Sequence, residues 1–301
     1  YIIDNKSSDD SIDLISKNYP EINIIKLNAN LGYAEGYNEG VKLIAEDVII
    51  FLNNDAVFLD KQSYNEIYKT FNSNDDISIA QPRIIDYNNR NKYEYAGASG
   101  GYIDLLGYPF CRGRIINNVE SAEKYRTTRE IFWASGACFV IRRKIFNKLN
   151  GFDNDFFCHM EEIDLCWRLK NIDNDKKIVT IGKSQVFHIG GGTMQYDNPN
   201  KNYLNFRNSI MMLIKNLPLG YLVPVIIFRI LFDLIILIFS FFTLNYNLSF
   251  SILKAYYFNL INFRINFLKR IKSKKSKKYY YCKSILISYY LFGKKTFSSL
   301  K

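Results

Sequence analysis

Within the first fifty residues, short β-rich runs alternate with helical ones. Y-I-I-D is followed by a polar turn and a helix near 10–18, then by the strand I-N-I-I-K-L-N, a helix near 34–46 and the strand D-V-I-I-F-L-N. A strand that returns through a helix to another strand builds a parallel sheet with crossover helices, so the pattern predicts an α/β layer structure. The run 48–52 is apolar throughout, as a strand covered on both faces requires. On doubly wound sheets ligands bind beyond the carboxyl ends of the strands, which is where chemistry is sought below. The pattern continues with a helix over 61–71, the strand S-I-A-Q-P-R-I-I and a loop-rich stretch holding Gly97, Gly100, Gly101 and Gly107. An apolar strand over 132–141, a helix over about 160–170 and the short strand K-I-V-T-I-G follow. Residues 1–207 are read as one α/β domain.

From residue 203 the composition changes. The segment 217–244 holds only two charges, Arg229 and Asp233, and aromatic-rich stretches and the run K-R-I-K-S-K-K-S-K-K follow it. The first 200 residues carry 23 Lys+Arg against 28 Asp+Glu, and the remaining 101 carry 17 against 1. A nucleic-acid reader carries its basic face on the folded domain. Here an acidic, motif-bearing part precedes a basic, apolar one, which points to anionic membrane lipid and away from nucleic acid. A nucleic-acid-binding tail is the competing reading, and the aromatics interleaved with the lysines fit interfacial anchors better. The segment 217–244 is long enough to cross roughly 30 Å of hydrocarbon. Pro218, Pro224, Arg229 and Asp233 suit a flat or re-entrant helix pair about as well, and a buried core helix is the third possibility. Residues 208–301 are read as a helical membrane-associating region, with its basic run on the cytoplasmic side.

At 48% apolar and 23% charged the chain is globular in composition and not disordered. Its five cysteines are an odd number without a C-x-x-C pair, which predicts a reducing compartment and no disulfide framework. Cys158, His159, Cys166 and His188 fit no standard zinc spacing. Nothing in the sequence sets an oligomeric state. The chain begins with Tyr and runs straight into a strand-like segment, so residues upstream of Tyr1 are expected.

Five constellations could carry chemistry. D-N-K-S-S-D-D-S, residues 4–11, follows a strand: Asp4 could accept hydrogen bonds from a nucleobase or ribose, while Ser8, Asp9 or Asp10 could simply cap the next helix. N-A-N-L-G-Y-A-E-G-Y-N-E-G, residues 28–40, places Gly32, Gly36 and Gly40 at a helix start, where backbone can approach a phosphate. F-L-N-N-D-A-V-F, residues 51–58, runs an apolar strand into Asn53, Asn54 and Asp55; Asp55 could offer one oxygen to a divalent cation, or the segment is a polar turn. H-M-E-E-I-D-L-C-W-R-L-K carries Glu161, Glu162 and Asp164 on a helix. Acids sharing a cleft raise each other's pKa, as a general base near neutrality needs, although acids in a first turn also suit the helix dipole. V-F-H-I-G-G-G-T places His188 after an apolar strand, either as a structural histidine or beside a ligand-gated glycine loop.

In this order and spacing, and together with W-A-S-G-A-C-F-V-I-R-R-K-I-F-N-K-L-N-G-F-D-N-D-F-F and N-F-R-N at 205–208, these motifs resemble the inverting glycosyltransferases of family 2. The likeness is especially to rhamnosyltransferase-like bacterial members, over residues 1–207. The resemblance implies the GT-A fold, a nucleotide-sugar-binding, Rossmann-like, mostly parallel sheet flanked by helices, to which composition adds the helical membrane-associating region behind it. It implies that Asp4 contacts the nucleobase, and that Ser7, Gly32, Asn38, Asn53, Asn54 and Glu161 lie along the nucleotide-sugar site. Asp55 takes the metal-ligand place of a D-x-D-like motif, and His188 completes the shell of a Mg²⁺ or Mn²⁺ ion. The base is usually the second acid of a Glu-Asp pair. This sequence has Glu162 there, so the base is Glu162 or Asp164, with Glu162 preferred. Trp133 and Gly136 are expected to face the sugar or acceptor. The implied partners are a nucleotide-sugar donor, dTDP-rhamnose first, and a lipid-linked or polysaccharide acceptor in cell-surface glycan synthesis at the cytoplasmic face of a bacterial membrane. The family's opening strand, with a Thr-Tyr-Asn-like nucleotide contact, has no counterpart in these residues. A non-catalytic nucleotide-sugar-binding membrane protein is the alternative function.

Overall fold

The computed structural model describes residues 1–190, 199–271 and 278–300. The glycines Gly191 and Gly192 of the H-I-G-G-G-T motif, and residues 272–277 of the lysine run, lie outside the described residues. In chain order the elements begin with β1 (Ile2–Asp4), α1 (Ser11–Asn18), β2 (Ile24–Lys26), α2 (Gly32–Val41), β3 (Val48–Leu52), β4 (Ala56–Val57), α3 (Lys61–Ser73) and β5 (Ile77–Asp86). Five short strands follow: β6 (Gly101–Ile103), β7 (Pro109–Cys111), β8 (Arg114–Ile115), β9 (Asn118–Val119) and β10 (Arg129–Glu130). Then come β11 (Cys138–Arg142), α4 (Arg143–Lys148), α5 (Glu161–Ile172) and β12 (Lys177–His188). The last elements are α6 (Pro199–Asn216), α7 (Leu219–Phe242), α8 (Tyr246–Ile261), α9 (Phe263–Leu268) and α10 (Ile285–Tyr290).

The α/β class holds, with the parallel pairing confined to β1–β2 and β5–β12. β11 runs antiparallel between β3 and β5, and β4 and β10 join β12 antiparallel. The cause is the route of the chain: β11 is reached through the excursion 87–137, not through a crossover helix, so its direction is free of the right-handed βαβ constraint. β5 is buried along nearly its whole length, and its buried polar side chains are paired: Gln81 Nε2 donates to Pro82 O at 3.0 Å and Arg83 Nε to Gly182 O at 2.8 Å. In β3 burial alternates, with Ile49 and Phe51 inside and Val48, Ile50 and Leu52 half-buried. The predicted strand over 132–141 is shorter, beginning at Cys138, because the peptide groups before it are used elsewhere. Phe132 and Trp133 donate to Gly101 O at 2.8 and 3.1 Å, and Ser135 N donates to Gln81 Oε1 at 2.9 Å. The helix predicted to reach 46 stops at Val41, where Lys42 and Leu43 make tight-turn bonds to Glu39 and Gly40.

All five cysteines are free thiols. Residues 278–300 fold back on the meander β6–β9. Tyr281 N donates to Ile103 O and Leu105 N to Cys282 O, both at 2.9 Å, and the rings of Tyr102, Phe110, Tyr281 and Phe297 pack together. The main core joins sheet to helices through Phe51, whose ring lies 4.6 Å from Tyr37, 5.3 Å from Phe146 and 5.4 Å from Phe152. Phe51→Ala opens a cavity where β3, α2 and α4 meet, and is expected to cost about 3–5 kcal/mol in unfolding free energy, measured by denaturant titration.

Candidate active site

The acidic helix α5 is approached through a constrained segment. Phe157, His159 and Met160 have φ of 63°, 71° and 71°, in the left-handed region that non-glycine residues adopt at a cost of order 1–3 kcal/mol each. Neighbouring motifs hold this segment in place. Gly32 admits it, because a Cβ there would lie 2.5 Å from the Phe157 ring, and Ala34 N donates to Phe157 O at 3.1 Å. Asn38 spends both ends of its amide on the same loop, donating to Phe152 O at 2.8 Å and accepting from Phe152 N at 2.9 Å. Expected along the nucleotide site, Asn38 has its amide committed to bracketing the 152–160 loop.

From the other side α6 brings the N-F-R-N motif. Asn208 Nδ2 lies 2.7–2.9 Å from the carbonyl oxygens of Phe156, Cys158 and His159, and Arg207 Nη2 donates to Asp155 O and Phe156 O. Lys215 pairs with Asp153 at 2.7 Å and with Asp164 at 2.9 Å, and Lys269 reaches Asp153 and Asp155 at 2.8 and 2.6 Å. Burial alone would raise the Asp153 pKa, but the two lysines outweigh it and hold the carboxyl well below the usual range.

The three acids of α5 have different fates. Asp164 is fully buried and bound by Arg168 Nε at 2.7 Å, Lys215 Nζ at 2.9 Å and Asn216 Nδ2 at 2.7 Å. Against the penalty of burial, these cations keep it ionised. Arg168 also donates to Leu149 O and Gly151 O, so the group locks α5 to the turn after α4. Glu161 and Glu162 lack such partners. Burial, and for Glu161 also the neighbouring Glu162, raises both, Glu161 well above its ordinary value and Glu162 to about 7. One carboxyl oxygen of each makes no hydrogen bond. Glu162 faces Gly136, where an added Cβ would come within 3.9 Å of Glu162 Oε1 and 3.2 Å of Tyr33 Oη. Tyr33 donates to Gly136 O at 2.9 Å. Glu162 and Tyr33 are therefore the side chains that face Gly136.

A second group stands at the carboxyl ends of β3 and β12. Asn53 N donates to Ala137 O at 3.1 Å, which sets the end of β3 next to Gly136. His188 Nε2 is 3.0 Å from Asp55 Oδ1, and its Nδ1 is 3.2 Å from Glu94 Oε2. Both ring nitrogens are buried without well-formed hydrogen bonds. Burial works against protonation of His188, yet the two carboxylates shift its pKa upward. Among the described residues no cluster of three or more His, Cys, Asp and Glu is arranged around a metal position. Asp55 and His188 set one carboxylate oxygen and one ring nitrogen 3.0 Å apart, donor types that a divalent cation can use. A Cβ on Gly190 would lie 2.9 Å from Glu94 Oε1, so a glycine is needed there beside its positive φ of 73°.

At the end of β1, Asp4 Oδ1 accepts from Ser7 N at 2.8 Å, and Asp9 accepts from Ser11 N. Ser7 and Asn54 are exposed. Trp133, expected to face sugar or acceptor, is a core residue: it is buried, its ring lies over Gly101 and its indole N–H donates to Tyr102 O at 2.9 Å. Sequence reasoning missed Asn5, which accepts from Leu31 N and donates to Gly32 O, both near 2.9 Å, and so ties β1 to the α2 loop. It also missed Glu94, which lies in a loop without pattern, and gave no role to Arg207 and Asn208, although N-F-R-N was in view.

Residues 1–149 match the family described as glycosyl transferase family 2. The chain is 24% identical over 219 residues to the low-salt glycan biosynthesis hexosyltransferase Agl10 of Haloferax volcanii, covering 70% of this chain and 65% of that protein. It is 25% identical over 184 residues to the N-acetylglucosaminyl-diphospho-decaprenol L-rhamnosyltransferase of Mycobacterium tuberculosis, covering 56% of this chain and 59% of that one. The chain thus spans less than two thirds of either relative. Among solved structures, GalNAc-T7 with UDP, GalNAc and Mn²⁺ superposes with a TM-score of 0.51 at 15% identity, over 70% of this chain and 40% of that one. The fold is that of the GT-A glycosyltransferases.

Asp153→Asn breaks a largely buried pair with Lys215 and is expected to cost about 3 kcal/mol at pH 7. The Asp153 pKa is lowered on folding, so its contribution is complete above the unfolded carboxylate value near 4 and is lost as pH falls through the lower folded value. The stability difference between wild type and variant, read from denaturant melts, should hold from about pH 7 to 4 and narrow below.

Proposed function

We propose that this chain, whose residues 1–149 match glycosyl transferase family 2, transfers a sugar, with inversion, from a nucleotide-sugar donor to an acceptor hydroxyl in cell-surface glycan synthesis. The observation that carries this reading is Glu162: a carboxyl with one buried, unpaired oxygen, its pKa raised by that burial to about 7, facing Gly136 next to the end of the strand that leads to Asp55. Such a group can take a proton near neutral pH. Asp164, already bound by two cations and an amide, is the anchor of α5 and not the base.

In the reaction the acceptor oxygen forms a bond to the anomeric carbon as its proton passes to Glu162. The bond from that carbon to the diphosphate oxygen breaks on the opposite face, and the nucleoside diphosphate leaves. Asp55 and His188 would hold a Mg²⁺ or Mn²⁺ ion, which when bound offsets the charge of the departing diphosphate. Asp4 and Gly32, at the ends of β1 and the α2 loop, are assigned to the nucleotide half. The relative named for a decaprenol-linked substrate supports a lipid-linked acceptor, and the rhamnosyltransferase likeness makes dTDP-rhamnose the first donor to test. Residues 1–207 form the catalytic unit in this reading and 208–301 its membrane-associating part, at the cytoplasmic face.

Donor hydrolysis across a panel of nucleotide sugars, with Mn²⁺ or with EDTA, tests the assignment. Release of one nucleoside diphosphate that needs the metal and disappears in Asp55→Ala is the expected result. Release indifferent to both would overturn it. Glu162→Gln should lower kcat by about 10²–10⁴ with the donor KM little changed, and the wild-type rate should rise as pH passes through about 7. Asp164→Asn should instead lose thermal stability, seen as a lower Tm.

A further inference from the structure

In a water-soluble protein, helices turn their apolar stripe inward. Helices α7, α8 and α9 do the reverse. On α7 the buried positions include Arg229, Asp233 and Ser240, while Val223, Ile227, Leu231, Ile235, Ile238 and Phe242 are exposed. On α8 the buried positions include Ser249, Ser251, Ala255 and Asn259, against exposed Phe250, Leu253, Tyr257 and Leu260. On α9, Asn266 is buried while Phe263, Ile265 and Leu268 are exposed. Small and polar residues between helices with large apolar ones outside is the pattern of helices solvated by lipid, and a contiguous exposed apolar face of this kind marks an interaction surface.

The 24 residues of α7 are long and apolar enough to cross a bilayer. Its midpoint, however, is bound to the folded domain. Arg229 Nη2 donates to Ser209 Oγ of α6 at 2.9 Å, and its guanidinium lies 3.8 Å over the Tyr108 ring. Asp233 accepts from Tyr108 OH at 2.9 Å and from Tyr256 OH of α8 at 2.8 Å. Tyr108 sits in the turn between β6 and β7. Were α7 to cross, its midpoint would lie about 15 Å deep and would carry that turn and the meander into hydrocarbon, where lipid-exposed irregular backbone is not tolerated. Lying flat avoids the conflict: the outward face enters one leaflet and the Arg229–Asp233 face stays on protein. Charge fits the same arrangement, since residues 201–301 hold 17 Lys+Arg against 1 acid, and Lys254 and Arg264 are exposed on α8 and α9.

We propose that α7, α8 and α9 form a platform lying in the plane of one leaflet of an anionic bilayer, without crossing it, the α7–α8 turn staying on the side of the folded domain. The inference rests on burial and contacts, not on the proposed reaction. Two measurements on the full chain test it. Asn247→Cys, exposed just past the turn, is probed with a membrane-impermeant maleimide against the parent chain as background. Labelling in inverted vesicles, and in right-side-out vesicles only after detergent, is expected; labelling from the outside would mean a crossing and overturn the proposal. In flotation with phosphatidylglycerol–phosphatidylcholine vesicles the wild type should float, and should float less with phosphatidylcholine alone. The triple variant Ile227→Asp, Leu231→Asp, Ile235→Asp, altered only at outward positions, should lose at least about tenfold in partitioning while keeping its circular dichroism. Wild-type-like flotation of the variant, equal binding to both lipids, or a wild type that stays unbound as a discrete oligomer covering this face would each overturn it.

Discussion

Asp164 is the residue on which the arrangement of the site depends. A fully buried carboxylate is tolerated only where cations and donors surround it, and here Arg168 comes from its own helix while Lys215 and Asn216 come from α6. The same Arg168 and Lys215 also hold Leu149 O, Gly151 O and Asp153, so one electrostatic knot fixes α5, α6 and the loop between α4 and α5. The left-handed residues Phe157, His159 and Met160 persist because this knot, Asn38 and Asn208 leave the loop no other path.

Two residues earlier on the same helix the physics is opposite. Glu162 has burial without cations, and so its pKa rises where that of Asp164 falls. Acids within one turn are thereby separated into a fixed anion and a group that can exchange a proton near neutrality. The Asp55–His188–Glu94 row follows the end of β3, which the hydrogen bond from Asn53 N to Ala137 O ties to the residue after Gly136.

The region beyond residue 208 is not a detached anchor. α6 runs unbroken from Pro199 to Asn216, its second half carries Lys215 and Asn216, and Lys269, just after α9, clamps Asp153 and Asp155. A basic residue expected to face lipid thus holds the loop before α5, because two carboxylates within 2.8 Å outcompete solvent for it. Ion pairs from α6 and from the residue after α9 tie the apolar helices to the loop before α5.

Periodicity, which needs only neighbours in sequence, was enough to read the α/β class, the order of most elements and the motif-bearing strand ends. β3, β5, α3 and α5 fall where the apolar spacing predicts them. The family likeness likewise followed from the order of short motifs. What the sequence left open were choices made by distant residues. Asp164 and Glu162 look alike until Lys215 and Asn216, some fifty residues on, select one of them. Asn38 reads as a ligand residue until Phe152 occupies its amide, and Trp133 as a sugar platform until Gly101 packs beneath it. The direction of β11 depends on a fifty-residue excursion that carries no crossover pattern. Local pattern determines what an element is; which polar groups stay free for chemistry is decided only when the fold has assigned partners to the others.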